Sequence, residues 1–342
     1  MKLDQPIRPA PGFLRVLTAL VLAGVSTGFG QPGDSPVDAD SCYRSAWKLQ
    51  EMAEGAASTN EAKTSLQAAI AQCDAAIKIK QNFFGANALA AHCYYRLAQF
   101  EPMPQPHRDL VEIADARFAL AARCPEATAA VFDEWGDMLL QEATACETIA
   151  ERRRLLLQAR QVFESGLKLT DFSGQHAKVQ RDLGICLTLL AESTGDETEK
   201  RSLYDEAIRQ FTAAAKVEAV ASTPQLHAHW GVALVEYSKL MKDPMMLREA
   251  IAQLGTALEK GAQGMEVHYN LACAYALLDQ PDNSMRHLRI CVDNDDARHT
   301  YYNAAVQDPD FWSLRSTREF NEMISSKQPP PIAPLAPSLS NR

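Results

Sequence analysis

The stretch Tyr269-Asn270-Leu271-Ala272-Cys273-Ala274-Tyr275-Ala276-Leu277-Leu278 decides the fold. A turn at Asp279-Gln280-Pro281-Asp282 ends it, and Ser284, Leu288 and Cys291 follow at spacings of four and three. Those spacings put the three side chains on one face of a second helix. Ala272 and Ser284 stand 12 positions apart. Small residues facing each other let two antiparallel helices approach, and large residues one turn away fill the gap between them.

Reading backwards, the same small–small pair recurs. Ala46 pairs with Ala69, Ala91 with Ala114, Gly136 with Ala159 and Gly184 with Ala207, each 23 apart, and Gly231 with Ala250 at 19. Second-helix partners follow every time: Cys73 and Ala76, Phe118 and Ala121, Phe163 and Gly166, Phe211 and Ala214, Leu254 and Ala257. Trp135-Gly136, Leu183-Gly184 and Trp230-Gly231 supply the large–small step of first helices. Breaker clusters at 57–60, 101–104, 193–196 and 242–244, and a weaker one at 146–148, fall midway between the anchors. Both helices of a pair are therefore expected to have lengthened together, by about five or six residues or roughly 8 Å each.

This pattern resembles the tetratricopeptide repeat family, closely over 265–324 and at the level of spacing over 41–264. The segment Asp308-Pro309-Asp310-Phe311-Trp312-Ser313-Leu314-Arg315 with Phe320 resembles the closing segment of bacterial arrays, where it covers the last apolar face. The resemblance implies an all-α, right-handed α-solenoid of about six antiparallel helix pairs over 41–297, with a capping segment over 298–326. Departures are the long units and the missing proline at the end of units one, three, five and six.

The ends read differently. Lys2, Arg8 and Arg15 precede the apolar run Val16–Val25, and small residues stand at Gly28 and Gly30. That order is expected of a cleaved export signal over 1–30, with an uncleaved N-terminal anchor as the alternative. Export to the periplasm or outside the cell is the expected location. Residues 31–40 read as a linker, and 327–342, with Pro329-Pro330-Pro331, as an extended disordered tail. Removing 1–30 would take the net charge of the 342-residue chain from −9 to −11. An acidic balance argues against a broad nucleic-acid surface. Only 16 glycines and 46% hydrophobic residues, with alanine throughout, favour packed helices over sheet.

Eight cysteines admit a disulfide reading, but Cys73 and Cys291 fill recurrent packing slots, and Cys93 and Cys186 sit two past their anchors. Free buried thiols acting as apolar residues are expected. His268, His287, Cys273 and Cys291 are expected to face different ways and not to share a metal. No Cys-x-x-Cys, His-Glu-x-x-His or phosphate-binding glycine loop occurs. No catalytic residue, cofactor or metal is expected.

In the family, ligand contacts come from set positions around the first-helix anchor, on a concave face. Carried over, the resemblance implies Tyr43 and Trp47 in unit one, His92 and Tyr95 in unit two, and Asp133, Glu134 and Asp137 in unit three. It adds Arg181 and Asp182 in unit four, His229 in unit five, and Tyr269 and Asn270 in unit six. Acids in the middle suit a basic or amphipathic protein or peptide partner. The expected function is a non-catalytic protein–protein interaction module. The alternatives are a scaffold or assembly factor of an envelope complex, using its outer face and tail, and a thiol- or metal-dependent enzyme. Membrane contact is expected only if the N-terminal segment stays uncleaved.

Overall fold

The computed structural model describes residues 38–170, 173–296 and 299–327. The signal pattern, residues 31–37 of the linker and all of the tail except Lys327 lie outside them. Every described element is helical. The described chain forms two compact units, one ending at Ser193 and one beginning at Thr194.

The first unit holds α1 (Ala39–Glu54), α2 (Thr59–Ile79), α3 (Phe84–Ala98), α4 (Pro104–Ala122), α5 (Ala129–Ala145), α6 (Ile149–Gly166) and α7 (Ser173–Glu192). The first helix begins inside the stretch read as linker, because Asp38 caps it by accepting from the Ser41 amide at 2.6 Å. Ser58 caps α2 and Thr148 caps α6 through the amides of Glu61 and Glu151, both at 3.3 Å. Each breaker cluster therefore stops one helix and starts the next.

Neighbouring helices pack as pairs α1–α2, α3–α4 and α5–α6. The predicted crossing residues Ala46, Ala69, Ala91, Ala114 and Ala159 are fully buried. Gly136 shows why the slot must be small: a Cβ there would lie 2.3 Å from the Phe163 ring. Reciprocally, a Cβ on Gly166 would lie 2.7 Å from Phe132 Cβ. Growth of the pairs is less even than expected. Helices α1 and α2 have 16 and 21 residues, α3 and α4 have 15 and 19, and only α5 and α6 nearly match at 17 and 18. In α2 the surplus runs into solvent, where Lys78 and Ile79 are exposed and need no partner helix.

The second unit holds α8 (Glu197–Ala214), the short α9 (Glu218–Ala221), α10 (Pro224–Met241), α11 (Pro244–Glu259), α12 (Met265–Leu277) and α13 (Pro281–Asp293). After these come α14 (Thr300–Gln307), 3-10 turns at Pro309–Phe311 and Leu314–Ser316, and α15 (Arg318–Lys327). Helix α9 was not expected. Its four residues lie among the turn-forming residues before Pro224, too few to show a period. Helices α10–α11 and α12–α13 form pairs, and α8 packs on α10. A Cβ on Gly231 would lie 2.5 Å from Leu254 Cγ. Helices α12 and α13 have 13 residues each, so this pair keeps the short unit length.

The closing segment folds back onto α12. Phe311, Leu314 and Phe320 are buried, and the Phe311 ring meets Tyr269 edge-on, with centroids 5.4 Å apart. Trp312 points outward and is 72% exposed. All eight cysteines are unbridged, and all but the half-buried Cys146 are buried. Burial pushes the Cys73 and Cys291 thiols up to about 12, which keeps them protonated and unreactive at neutral pH.

Candidate functional site

The first helices of the first unit follow one another as a row: α1 packs on α3, and α5 on α7. Between α3 and α5, His92 Nδ1 pairs with Glu134 Oε1, and the Tyr95 hydroxyl donates to Gln141 Oε1 at 3.0 Å. Beside them, His107 from α4 bridges the Ala98 carbonyl and the Glu142 carboxylate.

Between α5 and α7 lies a buried charged cluster. Arg181 binds Asp182 through two hydrogen bonds of 2.7 Å, and Asp182 is 3% exposed. Asp133 is 4% exposed, and its Oδ1 has no hydrogen-bond partner among the described residues. Burial, then the nearby Asp182 charge, raises the Asp133 carboxyl well above its ordinary range. The same two causes lift Asp137 to about 7. Burial lowers the Lys178 ammonium nearby. Three carboxylates thus share two internal cations. Lys178 was missed by sequence reasoning, although it stands six positions before Gly184, at one of the family's contact slots.

The predicted contact residues therefore divide into groups. His92, Tyr95, Asp133, Glu134, Asp137, Arg181 and Asp182 gather on α3, α5 and α7. Tyr43 does not join them: it is buried in the first pair, 5.2 Å from the Phe83 ring, and Trp47 packs against the same core. Tyr43 is part of that core, and Trp47 is half-buried against it. In the second unit, His229 lines a cleft of about 340 Å³ with Pro224, Val232, Gly264 and Glu266. Asn270 is tied to its own helix, donating to the Glu266 carbonyl at 2.7 Å. Tyr269 corrects the expectation most clearly. The cap covers it to 1% exposure, and its hydroxyl donates to Asp308 Oδ2 at 2.8 Å. A residue sealed by the cap offers no surface to a partner.

Two further clusters bring metal-ligating groups together. Cys273, Asp308 and Asp310 have ligand atoms within 4.8 Å of one another. The Lys239 ammonium, 2.6 Å from Asp310 Oδ2, already supplies the positive charge there, and Tyr269 serves Asp308. That arrangement is a buried ion pair. His268 and His287, expected to diverge, instead meet with Nδ1 atoms 2.9 Å apart, while Tyr275 stacks on the His287 ring. Cys291 does not join them; its thiol donates to the Met265 carbonyl at 3.3 Å. Because the imidazole centroids are 5.2 Å apart and the rings tilted by 27°, the Nδ1 atoms face nearly head-on, as a hydrogen bond requires.

No family model matches the chain, and no curated protein does. Among solved structures it is similar to the type IV pilus biogenesis factor PilW, with 11% identity, TM-score 0.49, and coverage of 83% of this chain and 98% of that one. It is also similar to Pseudomonas aeruginosa PilF, with 12% identity, TM-score 0.44, and coverage of 84% and 99%. A thermophilic tetratricopeptide-repeat protein of Thermus thermophilus shows 17% identity, TM-score 0.41, and coverage of 67% and 98%. The small-residue crossings at Gly136, Gly231 and Ser284 are the chain's own signature. In fold, each unit is a tetratricopeptide-like set of antiparallel helix pairs.

Proposed function

We propose that the chain is a non-catalytic protein–protein interaction module that holds a basic or amphipathic peptide, or a partner domain, against the first helices of its first unit. One observation carries this reading. Seven polar residues expected at contact slots converge on α3, α5 and α7, and polar atoms of Asp133 and His92 there are buried without partners. An unpartnered buried polar atom costs about 1–3 kcal/mol, and a ligand that supplies complementary groups removes that cost.

The experiment compares capture by the immobilised full chain with capture by a Glu134→Gln/Asp137→Asn variant, which preserves shape. Each captured protein is then purified and its affinity measured for both. Loss of the partner with unchanged circular dichroism supports the reading, and an undiminished partner set refutes it.

A second reading, a scaffold contacting partners through its outer face, draws on exposed Ile113 and Leu120 of α4 and Leu157 of α6. Capture lost on Ile113→Glu/Leu120→Glu, with the carboxylate variant unaffected, would favour it. We also propose that residues 1–30 direct export, that 298–326 cap the last pair and that 327–342 form an extended tail. N-terminal sequencing of the mature protein tests the first of these. No described helix is long and apolar enough to cross a membrane.

A further inference from the structure

We propose that His268 and His287 form a zinc(II) site that staples α12 to α13, each imidazole giving Nδ1 to the ion and water completing its shell.

The two rings come from the two helices of the last pair, and their Nδ1 atoms stand 2.9 Å apart. Around a tetrahedral zinc ion with Zn–N bonds of about 2.0–2.1 Å, two imidazole nitrogens lie about 3.3 Å apart and their ring centres about 5.2 Å apart. The ring centres here are 5.2 Å apart. The helices therefore already hold the rings at the spacing an ion needs. A turn of each ring opens the nitrogens by about 0.4 Å and aims both lone pairs at one point.

Little opposes that turn. Among the described residues, neither imidazole has another hydrogen bond. Tyr275 lies nearly parallel to His287, tilted by 8° with centroids 5.7 Å apart, a stack across which the ring can turn in its own plane. Both histidines are half-buried, so water and an ion reach them. In the hydrogen-bonded pair one neutral ring carries its proton on Nδ1 and the other accepts there. On zinc entry that proton moves to Nε2 by way of water. Both Nδ1 lone pairs then face the ion, and the proton count is unchanged.

The surroundings separate this pair from the Cys273–Asp308–Asp310 cluster, where the Lys239 ammonium already sits. The formal charges acting on the imidazoles from outside the pair are Glu266 on His268 and Arg286 on His287, one of each sign. Imidazole suits zinc, whereas magnesium takes carboxylate, carbonyl and water oxygens. Because the two ligands meet only when α12 and α13 are paired, bound zinc stabilises the end of the second unit that carries the cap.

The test is titration of zinc chloride into the full chain with 15N-labelled histidine, read at the imidazole nitrogens by NMR. Magnesium chloride is run beside it. His268→Gln and His287→Phe, which keep side-chain bulk, assign the two signals, and circular dichroism checks their helicity. The expected result is that the Nδ1 signals of His268 and His287 shift together with one midpoint, and that magnesium moves neither. Changes behind a ligand already cost about 10–100-fold in affinity, so loss of either ligand should weaken zinc at this site at least about tenfold. Cobalt(II) added to the unaltered chain should give the intense visible absorption of a tetrahedral site, a reading that needs no variant to fold.

No shift at zinc up to about 1 mM overturns the site. So does movement of one signal without the other, the same shift with magnesium, or a remaining imidazole unaffected in its zinc midpoint by loss of its partner.

Discussion

The Ser284 hydroxyl donates to the Ala272 carbonyl at 2.7 Å, across the crossing point of α12 and α13. Both residues are fully buried, so the 12-residue interval read from sequence is a direct interhelical contact. A hydroxyl suits this slot because it fills little more volume than alanine and finds an acceptor on the facing backbone.

Substitution at this point separates its two roles. Ser284→Ala removes one buried hydrogen bond and is expected to cost about 1 kcal/mol. Ser284→Leu pushes the helices apart and is expected to cost about 1–3 kcal/mol more. Urea unfolding followed by helicity reads both values.

Gly136→Leu is expected to destabilise by about 1–3 kcal/mol, because even its Cβ meets the Phe163 ring at 2.3 Å. Gly174→Ala, where nothing among the described residues lies within 4 Å, is expected to stabilise by about 0.5–1 kcal/mol as a helical glycine replaced. Thermal denaturation of the two variants should move in opposite directions.

Acid is expected to weaken the second unit through His287. Burial first, then the neighbouring His268 and Arg286, lowers this imidazole from 6.5 to about 4. The unfolded chain therefore binds a proton that the folded chain refuses between those values, and stability falls as pH drops through that window. Allowing for the half-exposed ring, the loss is about 1–2 kcal/mol. His287→Phe keeps a ring on Tyr275 and should flatten the melting midpoint across the same window.

Asp137 works in the opposite direction. Its carboxyl is raised from 3.8 to about 7, so the folded chain holds a proton that the unfolded chain releases between those values. Stability from this group falls as pH rises through the window. Asp137→Asn should raise the melting midpoint above wild type near pH 8, and the difference should vanish below about pH 4.

Removing the cap should expose what it covers. Phe311→Ala takes a fully buried ring off Tyr269 and is expected to cost about 3–5 kcal/mol. Early loss of near-ultraviolet tyrosine signal during melting checks it.

The fold was legible because small residues can serve a helix crossing only at fixed intervals, as Gly136 and Gly231 show through the side chains their missing Cβ atoms would strike. Position in a unit was less informative about exposure. The resemblance implied ligand-facing slots for Tyr269 and Tyr43, yet a cap and a neighbouring aromatic cover them. Spacing does not report what a later segment folds over. The His268–His287 contact was missed for a related reason: slot assignments fix the direction of Cβ, but a long ring can still swing toward its partner helix.

The central claim is that the first helices of the first unit carry the contact surface. Hydroxyl-radical footprinting of the full chain, with and without the partner captured by it, tests that claim most directly. Protection centred on His92 and Tyr95, with Ile113 and Leu120 on α4 still reactive, is the predicted result. Protection of Ile113 and Leu120, with His92 and Tyr95 unchanged, would contradict it.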